Sequence, residues 1–547
     1  MGSIQDQLAN ETTSFAYDQS YRLSSISNPR GQISYTCTAT DQVQSYQVNS
    51  DPPVSYSYYD DGSVKNITRS SESPLAYYYL LTGQKAQVLY PNNSRVDYTY
   101  DDQGRLASII NRKPDMSILS SYTYGYDYNY TTGSCTMKGN RTSMTNQLAQ
   151  MEKYYFDNLY QLIRVDYPNG DVHQWSYDDI GNRVQQIVIP SGQPPVVTNY
   201  TYYQNGQGRN SQLLQSDGLS AYTWDNNGNL SAKEAISFAW DYDDRLVGIS
   251  GPSVSASYVY DYQGNRLKKI VSGIETSYLY LSEDIVKETT GGVVTNYLHG
   301  LGIDDPVMMD RASAKSYYFS DGLGSIREMT DTAGTGQNSY TYGAWGELRA
   351  QNVTVPNSYG YTGREFAEEG LCFYRARYYD PAQGRFVSED PIGSANRENL
   401  YVYVFNNPIV MIDPSGLHGF TWKGKCATQK TWRMRKGKYV VVKEVDAAPP
   451  SAEQQEENER YLTEYSPCKD GKNGTLFDAW FPCNVNYDKG FDGTAGPNMA
   501  KYQDWRAQFD SECAAVNGTV VERDVPILGK YETSIFAWCC KCVKGIK

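Results

Sequence analysis

The chain has 547 residues and a formal net charge of −13, and its 39% hydrophobic share includes 51 tyrosines. With the tyrosines removed and glycine added, that share is about 38% against a usual 45–50%, which excludes several conventional apolar cores. Charged residues at 20% and aromatics at 14% exclude a disordered acidic chain, and no apolar run approaches the roughly 18 residues of a membrane span.

The first residues, Met1-Gly2-Ser3-Ile4-Gln5-Asp6, lack the basic and apolar regions of a signal peptide. The expectation is synthesis in the cytoplasm followed by secretion through a specialised system. From there a repeat runs along the chain, clearest at Tyr98, Tyr100, Asp101, Gly104, Arg105 and Leu106. Looser copies stand at Tyr17-Asp18, Trp175-Ser176-Tyr177-Asp178, Tyr222-Thr223-Trp224-Asp225, Phe238-Ala239-Trp240-Asp241 and Tyr258-Val259-Tyr260-Asp261. Aromatics at i and i+2 share one face of a strand, Asp and Gly supply a turn with a left-handed position, and the following Leu or Val begins the return strand. Each copy is therefore a β-hairpin, and because a lone hairpin is marginal in water, the copies must pair edge to edge. Two readings follow from the repeats alone: a curled single-layer shell, or a flat or solenoid array serving as a stalk or adhesin.

The pattern changes at Gly363-Arg364-Glu365-Phe366. It continues through Leu371-Cys372-Phe373-Tyr374-Arg375-Ala376-Arg377-Tyr378-Tyr379-Asp380-Pro381, Gly384-Arg385-Phe386, Asp390-Pro391-Ile392-Gly393 and Asp413-Pro414-Ser415-Gly416-Leu417. This segment strongly resembles the core of the Rhs, or YD-repeat, proteins, diffusely from about residue 10 and most specifically over 317–417. The resemblance implies a mainly β fold, a hollow cocoon of spiralling hairpins with a small α+β C-terminal domain enclosed. It divides the chain into a shell (1–316), a sealing core segment (317–417) and a variable, cysteine-rich C-terminal domain (418–547). In polymorphic toxins of this type, and in the C subunits of toxin complexes, the variable domain is the cytotoxic cargo. The implied partners are that cargo, a delivery or shell-completing protein, and an immunity protein for the tail. A shell of this length is short for the family, so a partner or an N-terminal part is expected to complete it.

The two Asp-Pro-x-Gly motifs flank 19 residues and look like the family's aspartyl autoprotease signature. By that match Asp390 and Asp413 are the catalytic carboxylates and Leu417–His418 is the scissile bond. Two acids at close range cannot both ionise readily, so one can activate water while the other polarises the Leu417 carbonyl. Arg385 is the expected stabiliser of the developing oxyanion. The plainer reading is that Asp-Pro and Gly merely form turns. For Arg385 it is an arginine paired with an acid in a shell of net charge −15.

Residues 418–547 carry 19 Lys+Arg against 17 Asp+Glu and seven of the ten cysteines. A basic stretch from Lys423 to Lys438 leads into Tyr439–Val442, which reads as a solvated hairpin or a nucleic-acid contact. Ser451 and Gln454 form a capping box for one helix, and Met499, Tyr502, Trp505, Phe509, Cys513 and Val516 mark a second. Val520–Leu528 and Ser534–Val543 read as closing strands. Asp478, Asp488, Asp492, Asp504, Asp510 and Glu512 leave a metal-carboxylate cluster open, although acids so irregularly spaced are usually surface residues, and Glu457-Asn458-Glu459 is a weak two-acid signal for ADP-ribosyl transfer. Cys539 and Cys542 form half of a zinc motif with no second half, so disulfides formed after release are preferred over metal or free thiols. No cofactor or metal is expected. The alternative function is an extracellular YD-repeat adhesin with a cysteine-rich binding module, for which the sequons at Asn66, Asn140 and Asn352 would carry glycans.

Overall fold

The computed structural model describes residues 2–6, 11–131, 133–206, 208, 210–393, 399–417, 420–421, 431–435, 438–443, 518–525 and 535–542. Its repeats are built by short-range chemistry. At one turn the Asp241 amide donates to the Arg245 carbonyl at 3.0 Å. Asp241 Oδ1 accepts the amides of Asp243 and Arg245 at 2.9 and 3.0 Å, and Oδ2 accepts Arg245 Nε at 2.8 Å. Asp18 and Arg22 repeat the pattern, and Asn182 and Asn265 take the arginine's place opposite Asp178 and Asp261. The aspartate thus satisfies amides that the turn would otherwise leave unpaired. The third residue after it is left-handed, as glycine at Gly181 (φ 81°) and Gly264 (φ 87°), or at some strain as Tyr21 (φ 61°) and Asp244 (φ 56°).

The second aromatic of each copy has its own task. It stands where the strand register slips, as at Ser176/Tyr177, Ala239/Trp240 and Val259/Tyr260, and such a bulge re-aims a side chain. Its donor reaches back to the carbonyl of the residue that opens the preceding return strand. Tyr58 binds Val43, Tyr79 binds Val64, Tyr177 binds Leu162 and Tyr260 binds Leu246, at 2.5–2.8 Å. Trp240 does the same to Leu230 through its indole N–H at 2.7 Å. Tyrosine and tryptophan are interchangeable here because each combines an apolar body with a hydrogen-bond donor. The link gives the repeats a use for many of the chain's 51 tyrosines.

The hairpins pair in sequence order into two large antiparallel sheets, one of 18 strands from Gly2–Asp6 to Val196–Asn199 and one of 14 strands from Tyr222–Trp224 to Leu348–Val353. The second runs alongside the first in the same order. Asp51 meets Lys287 at 3.0 Å, Arg69 meets Asp310 at 3.1 Å, Tyr122 meets Glu328 at 3.0 Å and Asp171 meets Arg349 at 2.6 Å. No α-helix occurs among the described residues.

The core segment forms a small sheet of Glu365–Phe366, Cys372–Tyr374, Arg377–Asp380 and Arg385–Phe386. Strand alternation divides its side chains between two faces. Cys372, Tyr374, Tyr379 and Phe386 pack with Tyr278, Tyr318, Tyr361 and Tyr403, while Phe373, Tyr378 and Val387 pack with Leu230, Leu246, Tyr258 and Tyr260. This sheet is buried on both faces, and a third apolar cluster gathers Tyr154, Leu162, Val165, Trp175, Trp345 and Ile409.

The chain divides into two compact units, Met1–Thr99 with Leu106–Lys443, and Tyr100–Arg105 with Glu444–Lys547. The first includes the antiparallel pair Thr431–Arg435 and Lys438–Lys443, which matches the hairpin expected there. The second includes Gly518–Val525 paired with Ile535–Cys542, matching the expected closing strands. The two expected helices, the acidic residues from Asp478 to Glu512 and His418 lie outside the described residues.

Candidate functional site

The turn Tyr374-Arg375-Ala376-Arg377 joins two strands of the buried sheet, with Arg375 in the left-handed region at φ 56°. It lies against the second Asp-Pro-x-Gly motif. Four successive carbonyls of that motif are held, each by a different donor. Arg364 Nη2 reaches the Asp413 carbonyl at 3.5 Å, Arg375 Nη1 the Pro414 carbonyl, the Ala376 amide the Ser415 carbonyl at 3.3 Å, and Arg377 Nε the Gly416 carbonyl. Gly416 is left-handed at φ 72°, and a Cβ there would stand 2.1 Å from the Tyr374 carbonyl oxygen. Only glycine allows so close an approach.

The structure brings Asp390 and Asp413 to the same arginine. Arg377 lies between them, its Nη2 3.0 Å from Asp390 Oδ2 and 3.5 Å from Asp413 Oδ2. Asp413 is buried at 2% exposure and Arg377 at 3%, whereas the Asp390 side chain keeps 17%. Burial pulls the Arg377 guanidinium below its ordinary pKa, and Asp390 and then Asp413 draw it back. A further Arg377 nitrogen donates to the Leu400 carbonyl at 2.9 Å, and the guanidinium lies 3.6 Å from the centre of the Phe386 ring. Asp413 Oδ1 accepts the Leu417 amide at 3.1 Å and the Ser415 amide at 3.3 Å, so this carboxylate also fixes the last described residue before His418.

Arg385 is not the arginine of this site. Its Nη2 donates to the Gln212 carbonyl and its guanidinium lies 4.8 Å from the centre of the Tyr401 ring, on the side of the repeat hairpins. Arg385 faces Asp380 across a strand pair, which turns it to the wall. The core motif contains Arg364, Arg375 and Arg377 but by itself assigns them no role in the site. Their signal was there, since arginines at 375 and 377 within a run of aromatics can be buried only if anions or carbonyls receive them.

No protein-family model matches the chain. The tRNA nuclease WapA of Bacillus subtilis (strain 168) is 30% identical over 276 residues, 48% of this chain and 12% of WapA. Toxin subunit YenC1 of Yersinia entomophaga is 25% identical over 363 residues, 58% of this chain and 36% of YenC1. The crystal structure of TcdB2-TccC3 without its hypervariable C-terminal region has the same fold, with a TM-score of 0.60 at 20% identity over 74% of this chain and 23% of the matched chain. The chain therefore spans between 12% and 36% of the length of these proteins. The chain thus has the fold of TcdB2-TccC3, and its relatives are proteins of the Rhs and toxin-complex type.

Proposed function

We propose that the chain is a toxin carrier that encloses its C-terminal domain and severs it between Leu417 and His418. The observation that carries this reading is the junction of Asp390, Arg377 and Asp413 beside a segment whose four preceding carbonyls are already held. Asp390, the more exposed acid, takes a proton from a water molecule whose oxygen adds to the Leu417 carbonyl carbon. Arg377 receives the charge on the former carbonyl oxygen, and Asp413 holds the Leu417 amide. The bond to the His418 nitrogen then breaks, with the proton passing to that nitrogen and a carboxylate left on Leu417. One turnover suffices because bond and acids belong to one chain, so effective concentration replaces substrate binding.

The released 418–547 is proposed as an effector enzyme. WapA's tRNA nuclease activity makes RNA the first substrate to test, and the basic stretch before Tyr439 fits a polyanion. A second subunit that completes or opens the shell, as TcdB2 accompanies TccC3, and an immunity protein are the proposed partners, with secretion by a specialised system into a target cell. Intact mass of the purified chain tests the cut directly. A fragment beginning at His418 is expected, and Asp390→Asn, Asp413→Asn and Arg377→Met are each expected to leave a full-length chain. A wild type that stays whole, or an aspartate variant that still cuts, overturns the assignment. For the effector, growth arrest on expression of 418–547 alone, with RNA as the damaged species, is the expected result.

A further inference from the structure

Arg364 and Arg375, which hold the carbonyls of Asp413 and Pro414, converge on one carboxylate outside the core segment. Asp304 lies in the connection between the strands Val293–His299 and Pro306–Arg311 of the second sheet. It receives Arg364 Nη1 at 2.8 Å and Arg375 Nη2 at 2.7 Å. Its own amide is 3.4 Å from Asp284 Oδ1, and the neighbouring Glu283 carbonyl accepts Arg375 Nη2 at 3.1 Å. The fit is close, because a Cβ on Gly363 would meet the Asp304 carbonyl oxygen at 2.1 Å. Asp284, Asp304, Arg364 and Arg375 also line one small pocket with Tyr359 and Glu365. The wall and the seam are thus joined in series, from an Asp304 carboxylate through two guanidinium groups to two consecutive peptide carbonyls.

We propose that Asp304 is a positioning residue for the cut, setting the register in which the segment before Leu417 lies beside Asp390 and Asp413. The assignment rests on the cleavage reading above. Asp304 touches neither the bond nor the catalytic acids' carboxylates, and it acts through the two arginines. Because it belongs to the repeat wall, the seam reaches cutting geometry only once that connection is seated, so cutting waits for the wall to fold.

Two full-length variants test it. Asp304→Asn keeps size and removes the charge, while Arg375→Lys keeps charge and removes the fork that spans Asp304 and Pro414. The fraction cut is followed by intact mass from the start of synthesis and expressed per folded molecule, with protease resistance as the measure of folding. Wild type is expected to give one fragment, beginning at residue 418. Both variants are expected to cut about tenfold more slowly, as small misplacements of a reacting group do, and to add fragments cut at neighbouring bonds. A wild-type rate per folded molecule with one fragment mass in both variants overturns the positioning role. An uncut wild type overturns the cleavage reading and this one with it, whereas a cut wild type with unaffected variants overturns this one alone.

Discussion

Gly416 decides whether the seam docks at all. Its left-handed φ and the 2.1 Å gap to the Tyr374 carbonyl leave no room for a side chain, so Gly416→Ala must lift the segment from the turn. Backbone strain of about 1–2 kcal/mol adds to the clash. The expected result is cutting slowed by at least about tenfold with the repeat sheets intact, read by mass and by urea unfolding. Normal cutting in the alanine variant would show that the carbonyl clamp is dispensable. Arg377 carries the opposite constraint. A guanidinium 3% exposed is tolerated because two carboxylates and two carbonyls surround it, and removing such a partner from a buried pair costs more than the pair itself contributes. Arg377→Met should therefore lower stability as well as abolish cutting, while Asp390→Asn, at the exposed end, should mainly stop the cut.

Besides their strand pairing, neighbouring hairpins share one side-chain link, and that link can be tested without touching the turn. Tyr177→Phe removes the hydroxyl that meets the Leu162 carbonyl at 2.5 Å and keeps the ring. A loss of about 1 kcal/mol is expected from an unmade hydrogen bond, measured as a shift of the urea midpoint. Tyr177→Trp should lose less, since Trp240 makes the same link with its indole. Equal losses in the two variants would mean that ring packing, not the donor, holds neighbouring hairpins together. The turn itself should be more sensitive, because Asp241 satisfies two amides and an arginine at once.

Across the molecule, the two sheets meet through charged and hydroxyl groups that respond to pH. Glu328 of the second sheet accepts Ser120 Oγ at 2.8 Å and Tyr122 OH at 3.0 Å from the first. Burial pushes its carboxyl up to about 7 from 4.5, against the pull of Arg327. The folded chain therefore holds this proton where the unfolded chain has lost it. Its stabilising effect is complete below about pH 4.5 and is lost as pH rises to about 7. Buried His173, pushed down to about 4, acts in the opposite direction by favouring unfolding as pH falls. Glu328→Gln separates them: its unfolding temperature relative to wild type should rise between pH 4.5 and 7 and level off above. A difference that does not change with pH would place the Glu328 proton outside the folding equilibrium.

What the sequence determined by itself is what acts within one turn. The repeat aspartate accepts amides two and four residues on and pairs with the arginine or asparagine side chain at the fourth, so this spacing is legible without a fold, and hydrophobic scarcity with tyrosine excess already implied thin sheets. The pairing of Asp390 with Asp413 was legible only through the family resemblance. The tertiary structure decided which arginine joins them. Arg377 and Arg385 lie in the same buried sheet, eight residues apart in sequence, and no local pattern distinguishes them. Strand pairing directs one to the seam and the other to the wall, and the anions that select Arg377 come from chain segments 13 and 36 residues further on. The grip of Asp304 on the seam is more distant still, because it exists only where the repeat wall and the core segment fold against each other.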